Sequence, residues 1–167
     1  MTRAVIVALA AFPPMLVEAR RSLRNERALL AVGAVEPPDD VYPVMRIAYP
    51  VCFAAMAAEA WLRDAPLGPS FAAGAVTFAL AKGLKYWAIA TLGPRWTFRV
   101  LVPPRQPLIV AGPYRMMRHP NYLGVAGELA GAALMADALI AGAVSLALFG
   151  GLMLARIRVE ERALGRP

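Results

Sequence analysis

Two short stretches hold most of the residues capable of chemistry. The first ends in Arg118-His119-Pro120-Asn121-Tyr122, and the second runs from Arg156 to Arg162. His119 and Cys52 are the sole histidine and cysteine, which excludes a Cys/His zinc site and a disulfide scaffold. Pro120 suits the first turn of a helix, where its missing N–H costs nothing. The free N–H groups of that turn, with the helix dipole, can bind an anion such as a carboxylate, and Arg118 and His119 beside them would strengthen the site. The plainer alternative is that Arg118 and His119 anchor at an interface and Pro120 merely starts a helix. In the second stretch Arg156 and Glu160 are four apart and share a helical face that extends back through Met153 and Phe149. Arg158 and Glu161 are three apart on a neighbouring face. Alone, such pairs are ordinary surface ion pairs worth roughly a few tenths of a kcal/mol.

The elements that must position these residues are apolar. Hydrophobic side chains make up 59% of the 167 residues and charged ones 17%, with a mean hydropathy of +0.54. A soluble domain carries roughly a quarter charged residues, so a small integral membrane protein is expected instead. The length allows one domain, 1–167, with a motif-bearing core at about 93–164. Ala138 to Ala155 is a run of 18 residues with no charge and only Ser145 as a polar member, about the minimum for a helix that crosses a bilayer. Tyr122 to Ala136 is apolar apart from Glu128, and Asp137 separates the two runs, which predicts an antiparallel helical hairpin with a tight turn. Pro69 to Ala81 continues past Lys82 and Lys85 into Tyr86–Leu92. Tyr42 to Leu62 forms another helix, with Arg46 near one end and Glu59 near the other.

The first apolar segment, Ala4 to Val17, is shorter and is interrupted by Pro13-Pro14. It has the length of a signal-peptide core, yet only Arg3 precedes it, while Arg20, Arg21, Arg24 and Arg27 follow. That asymmetry favours a retained helix. The expected fold is all-α, integral to the membrane, with five spanning helices, or four as the fallback. If five alternate, all but Arg3, Arg46 and Arg63 of the 18 basic residues fall on one side. This positive-inside pattern sets the N-terminus outside and the C-terminus in the cytoplasm.

The net charge of +7 is then explained by basic residues facing an anionic leaflet, and no motif calls for nucleic acid. Conduits keep their polar groups inside the spans. Here the intramembrane charges are few (Arg46, Glu59, Lys82, Lys85 and Glu128), and most lie near a helix end, where snorkelling accounts for them. The polar residues concentrate in Gly93–Tyr122, which Gly93-Pro94, Pro103-Pro104 and Gly112-Pro113 punctuate, and in Arg156–Arg162. That distribution suits an enzyme at the membrane–cytoplasm interface, with a non-enzymatic membrane partner or small transporter as the alternative. The hairpin would set His119, Asn121 and Tyr122 opposite Arg156 and Glu160. Gly142, Ala143, Gly150 and Gly151 would let it pack tightly.

Gly112-Pro-Tyr-Arg-Met-Met-Arg-His-Pro-Asn-Tyr-Leu-Gly124, an apolar hairpin, and then Arg156-Ile-Arg-Val-Glu-Glu-Arg-Ala-Leu164 together resemble the isoprenylcysteine carboxyl methyltransferase family. Its members are multi-pass membrane enzymes that use S-adenosylmethionine. Asn25–Pro37 and Gly93-Pro-Arg-Trp-Thr97 are similar to a bacterial branch that O-methylates long-chain alkylpyrones and alkylresorcinols. The resemblance implies that Gln106, Pro107, Leu108 and Ile109 form a backbone-rich wall for the cofactor, with Tyr114 as a further contact. The family often has a histidine where this chain has Gln106. His119, Pro120, Asn121 and Tyr122 would hold the amino-acid and ribose end, Glu160 would bind the cofactor, and Arg156 would be catalytic, orienting or activating the acceptor oxygen. His119 is a candidate general base. The implied partners are a lipophilic acceptor entering from the bilayer and membrane lipids, in a bacterial inner membrane. An isoprenylcysteine-type carboxylate or a phospholipid amine is the alternative acceptor.

Overall fold

The computed structural model describes residues 1–104 and 107–165. Five helices account for most of them: α1 (Thr2–Ala31), α2 (Tyr42–Arg63), α3 (Pro69–Leu92), α4 (Pro120–Ala136) and α5 (Leu139–Ala163). Short 3-10 turns lie at Gly93–Arg95 and Gly112–Arg115. No strand occurs among the described residues; Val35 and Val102 form one isolated antiparallel bridge. The expected all-α architecture is therefore present, and α3 has the limits read from its apolar run.

α1 differs from expectation. It runs unbroken through Pro13-Pro14 and includes Arg20, Arg21, Arg24 and Arg27, which lie beyond the expected Ala4–Val17 segment. Its 30 residues make a rod of roughly 45 Å at 1.5 Å per residue. Proline frees the carbonyl one turn back, and an apolar helix tolerates this where neighbouring groups rather than water surround it.

The core is apolar, with Phe53, Met56 and Leu129 fully buried, but the outer surface differs from that of a soluble bundle. Leu9, Leu16, Ile47, Val51, Leu80, Ile140 and Leu148 are exposed, whereas Arg3, Glu18, Glu26, Lys85, Glu128 and Arg156 are buried. Apolar side chains on the outside, with buried charges held by ion pairs or, for Arg3 and Glu26, by neutral hydrogen-bond partners, suit hydrocarbon surroundings. α1 and α5 are each long and apolar enough to cross a membrane.

Lys82, Lys85 and Glu128 do not snorkel. With Glu18 they form a buried cluster between α1, α3 and α4, in which Lys85 is 2% exposed, Glu18 3% and Glu128 1%. Lys85 Nζ lies 2.6 Å from Glu18 and 3.3 Å from Glu128, and Lys82 Nζ lies 2.9 Å from Glu128 and 3.3 Å from Glu18. The hydroxyl of Tyr49 donates to Glu128 from α2. Two ammonium groups and two carboxylates balance, and that balance is what allows all four to leave water.

The closest helix seam is α3–α4, not the α4–α5 hairpin. A Cβ on Gly131 would sit 2.6 Å from the Phe78 amide nitrogen, and one on Gly74 2.5 Å from that of Met135. In α5, Gly142 approaches Ala133, but Gly150 and Gly151 have open space around them. The hairpin turn itself is as expected. Asp137 adopts φ 56°, ending α4 in a left-handed cap. Glu59 then accepts the N–H groups of Ile140 and Ala141 at 3.2 and 2.6 Å, and Arg3 donates to the Met135 carbonyl at 3.4 Å. Anion at the start of α5 and cation at the end of α4 match the two helix dipoles.

Candidate active site

At the arginine-rich end of the bundle, the start of α4 lies against the last turns of α5. Tyr122 Oη donates to Glu160 Oε2 at 2.8 Å and accepts from Arg156 Nε at 2.8 Å. Arg156 and Glu160 thus share a face but meet through this hydroxyl. Arg156 also donates to Asp40 Oδ1 at 2.8 Å and to the Phe98 carbonyl. Both members of the Arg156–Asp40 pair are almost fully buried. Asp40 in turn accepts the Tyr42 N–H at 3.0 Å and the Val100 N–H at 2.8 Å. One carboxylate therefore joins the α1–α2 loop, the loop after α3, the first turn of α2 and the end of α5.

The extension of α1 builds the outer wall. Asn25 Nδ2 donates to the carbonyls of Gly93 at 3.1 Å and Trp96 at 2.7 Å. Ser22 Oγ accepts the Phe98 N–H at 2.7 Å, and Arg99 pairs in a two-pronged fashion with Glu36. The sequence stretches Asn25–Pro37 and Gly93–Thr97 are thus structural partners. Trp96 closes the circuit by donating from Nε1 to Asn121 Oδ1 at 3.4 Å.

Next to this network lies a cavity of about 540 Å³. That falls within the ~300–1,000 Å³ typical of small-molecule sites. Tyr114, His119, Asn121, Tyr122, Arg156 and Glu160 line its polar end. Phe12, Met15, Leu16, Tyr49, Pro50 and Phe149 line its apolar end, between α1, α2 and α5. Lys85 brings the buried ion cluster to the same cavity.

Not every expected residue reaches it. Pro107 and Leu108 are exposed, Ile109 is half-buried, and none of the three lines the cavity; the Pro107 carbonyl accepts instead from Arg95 at 2.6 Å. Gln106 lies outside the described residues. Pro120 is buried as the first residue of α4 and positions its neighbours without lining the cavity. His119 turns to Glu161, with Nε2 3.2 Å from Oε1, and Arg118 reaches the same oxygen at 3.5 Å. Glu161 thereby bonds across to α4 rather than along α5 to Arg158. Beyond the apolar part of α5, the hydrogen bond with His119, aided by the charges of His119 and Arg118, holds the Glu161 carboxyl below the usual carboxylate range. Burial, and then the charge of Glu160, push the Tyr114 hydroxyl up, so it stays a neutral donor.

Asp40, Trp96, Phe98 and the Asn25 anchor were not singled out in the sequence as site residues. Residues 28–45 carry Glu36, Asp39 and Asp40 as their only charges, and nothing in that pattern marks Asp40 as the buried one.

The chain is similar to two uncharacterized bacterial proteins. YpbQ from Bacillus subtilis is 30% identical over 145 residues, covering 84% of each chain. A protein from Haemophilus influenzae is 26% identical over 144 residues, covering 86% of this chain and 84% of its own. No solved structure matches. The model of the isoprenylcysteine carboxyl methyltransferase family matches residues 74–166, which include α4, α5 and the loop before them. The chain belongs to the isoprenylcysteine carboxyl methyltransferase family, and so to the membrane-embedded methyltransferases, which typically use S-adenosylmethionine.

Proposed function

We propose that this protein methylates an oxygen of a lipophilic acceptor, using S-adenosylmethionine. The observation that carries this reading is the two-ended cavity. A zwitterionic, nucleoside-bearing cofactor suits the polar end, and an alkyl or prenyl chain suits the apolar end. The donor set fits the cofactor. The unpaired N–H groups at the start of α4, with Arg118 and His119, match its carboxylate. The carboxylate of Glu160 matches its cationic groups, and Tyr114 and Asn121 offer hydrogen bonds to the nucleoside.

When bound, the cofactor supplies an electrophilic methyl group. The protein has then to orient an oxygen nucleophile and exclude water. Tyr122, held between Arg156 and Glu160, fixes the Glu160 carboxylate. Arg156 keeps two guanidinium N–H groups uncommitted among the described residues and lines the cavity, so it orients the acceptor oxygen. Because Asp40 already meets its charge, Arg156 directs the oxygen more than it stabilises an anion.

The proposed acceptor is an alkylpyrone or alkylresorcinol, whose hydroxyl is acidic. An isoprenylcysteine-type carboxylate fits the same cavity. The acceptor enters sideways from the bilayer, while the cofactor enters from the cytoplasm. The apolar outer faces of α2 and α3 support five crossings, with the N-terminus outside and the site at the cytoplasmic face of a bacterial inner membrane.

Calorimetric titration of the detergent-purified protein with S-adenosylhomocysteine, alongside Glu160→Ala, tests the reading. Micromolar binding that Glu160→Ala loses is the expected result. No binding to folded wild-type protein overturns it. A panel of alkylresorcinols, alkylpyrones and prenylcysteines then selects the acceptor.

A further inference from the structure

Methylating a hydroxyl releases a proton that a group of the site has to take. Arg156 is a permanent cation, His119 is turned to Glu161, and Glu160 already accepts from Tyr122. Tyr42, the first residue of α2, also lines the cavity. Asp40 accepts both the Tyr42 N–H and a donor of Arg156. Phe98 stacks its ring on that of Tyr42, 6.1 Å away, while its carbonyl accepts from Arg156. Tyr42 is thus fixed beside Arg156 from two sides, and its hydroxyl makes no hydrogen bond among the described residues.

Behind this wall α1 supplies Glu26, which is 6% exposed and does not line the cavity. Its Oε1 accepts from Ser22 Oγ at 2.6 Å, and Ser22 accepts the N–H of Phe98, the residue stacked on Tyr42. Of the charged groups around the Tyr42 hydroxyl, Glu26 acts on it most strongly, ahead of Arg46, Arg156 and Arg99. Other buried acids face cations: Glu18 and Glu128 face Lys82 and Lys85, and Asp40 faces Arg156. Glu26 makes no ion pair among the described residues, and Arg99, which feels its charge, is paired with Glu36. Both Tyr42 and Glu26 lie outside residues 74–166, the part that the family model matches.

We propose that Tyr42 is a catalytic residue that takes the proton of a hydroxyl acceptor, with Glu26 as the positioning residue that acts through it and ends the relay. This rests on the methyltransferase reading and deepens it. The acceptor's O–H bond breaks and its proton passes to Tyr42 Oη, while the proton of Tyr42 passes through one bridging water to Glu26. The O–C bond forms, and the S–C bond breaks with its electron pair left on sulfur. The positive charge on sulfur and the negative charge on Glu26 disappear together, so no new charge is left buried. Glu26 lies on the arginine-bearing end of α1, where it returns the proton to water. A carboxylate acceptor arrives without a proton and has no use for such a relay, so the pair marks the acceptor as a hydroxyl.

The test uses wild-type protein, Tyr42→Phe and Glu26→Gln in phosphatidylcholine nanodiscs with S-adenosylmethionine. The probes are 5-pentadecylresorcinol, a hydroxyl acceptor, and N-acetyl-S-farnesylcysteine, a carboxylate. Calorimetric binding of S-adenosylhomocysteine reports the folding of each variant. On the resorcinol at about pH 7, each variant is expected to lose about a hundredfold in kcat with little change in KM, the usual weight of general base catalysis. The loss shrinks as the pH rises towards about 10, where a phenol ionises unaided. It is at least about tenfold smaller on the farnesylcysteine. Undiminished turnover of the resorcinol in either variant, equal losses on the two probes, or losses that no pH recovers overturn the proposal. Where the farnesylcysteine is not turned over, recovery with pH alone decides. A wild type that binds S-adenosylhomocysteine yet does not methylate the resorcinol also overturns the proposal and leaves the methyltransferase reading standing. A folded wild type that binds no S-adenosylhomocysteine removes that reading, and this proposal with it.

Discussion

Replacing Asp40 by asparagine keeps the size of the side chain and removes its charge, so it isolates the electrostatics that join four elements at the site. In the native protein Oδ1 lies 2.8 Å from Arg156 Nη1, and both side chains are almost wholly buried. At an effective dielectric constant of about 20, two unit charges at that separation attract by roughly 6 kcal/mol. Part of this is offset because the aspartate no longer has to be desolvated, which leaves about 3–5 kcal/mol, the usual cost of breaking a buried pair from one side. The amide also cannot satisfy both of its neighbours. Whichever way it is oriented, its NH₂ group faces either the Arg156 donor or the Val100 N–H. Unfolding in mixed detergent–SDS micelles should therefore show Asp40→Asn less stable by several kcal/mol, with S-adenosylhomocysteine binding lost. Adding Arg156→Met removes the stranded cation, so the double variant should recover part of the stability but not the binding. A loss below about 1 kcal/mol in Asp40→Asn, or strict additivity in the double variant, would refute the idea that this pair organises the site.

Glu128→Gln leaves Lys82 and Lys85 facing Glu18 alone, so the bundle should lose about 3–5 kcal/mol, and Glu128→Gln with Lys82→Met should recover part of it; SDS titration measures both. Gly131→Ala drives a methyl group into the backbone of Phe78 and should cost about 1–3 kcal/mol, whereas Gly150→Ala, in open space, should be neutral or slightly stabilising by the same assay. Glu161 has a carboxyl pKa lower in the folded than in the unfolded chain. Its contribution is therefore fully present above the ordinary carboxylate range and is lost as the pH falls through the folded value. Unfolding followed from about pH 7 down to 3 should show a shallower acid decline in Glu161→Gln than in wild type, and identical declines would remove the His119–Glu161 link from the account.

Apart from the extension of α1 to Ala31, the helices and the meeting of Arg118–Tyr122 with Arg156–Glu161 were legible in one dimension. Long uncharged runs separated by Asp137, Gly93-Pro94 and Pro120 leave little freedom in where helices start and stop, and a two-residue turn forces the flanking ends together. The family motif fell in the same place for the same reason, since its halves are neighbours along a hairpin. Other features had no such local signature. Asp40 is 116 residues from Arg156, and Glu18 is 64 from Lys82. Nothing in their immediate sequence distinguishes a buried partner from a solvated surface acid. The side chains Lys82 and Lys85 read as snorkelling because periodicity reports a helix face but not what covers it, and α1 covers them with Glu18.

Sequence alone therefore determined composition, helix identity and the short-range half of the site, because hydrophobic runs, prolines and tight turns act within one helix or hairpin. The tertiary structure decided which charges pair and which glycines lie at a seam. Those outcomes depend on distance through space and on exclusion from water, and neither is a property of any residue until the helices have packed.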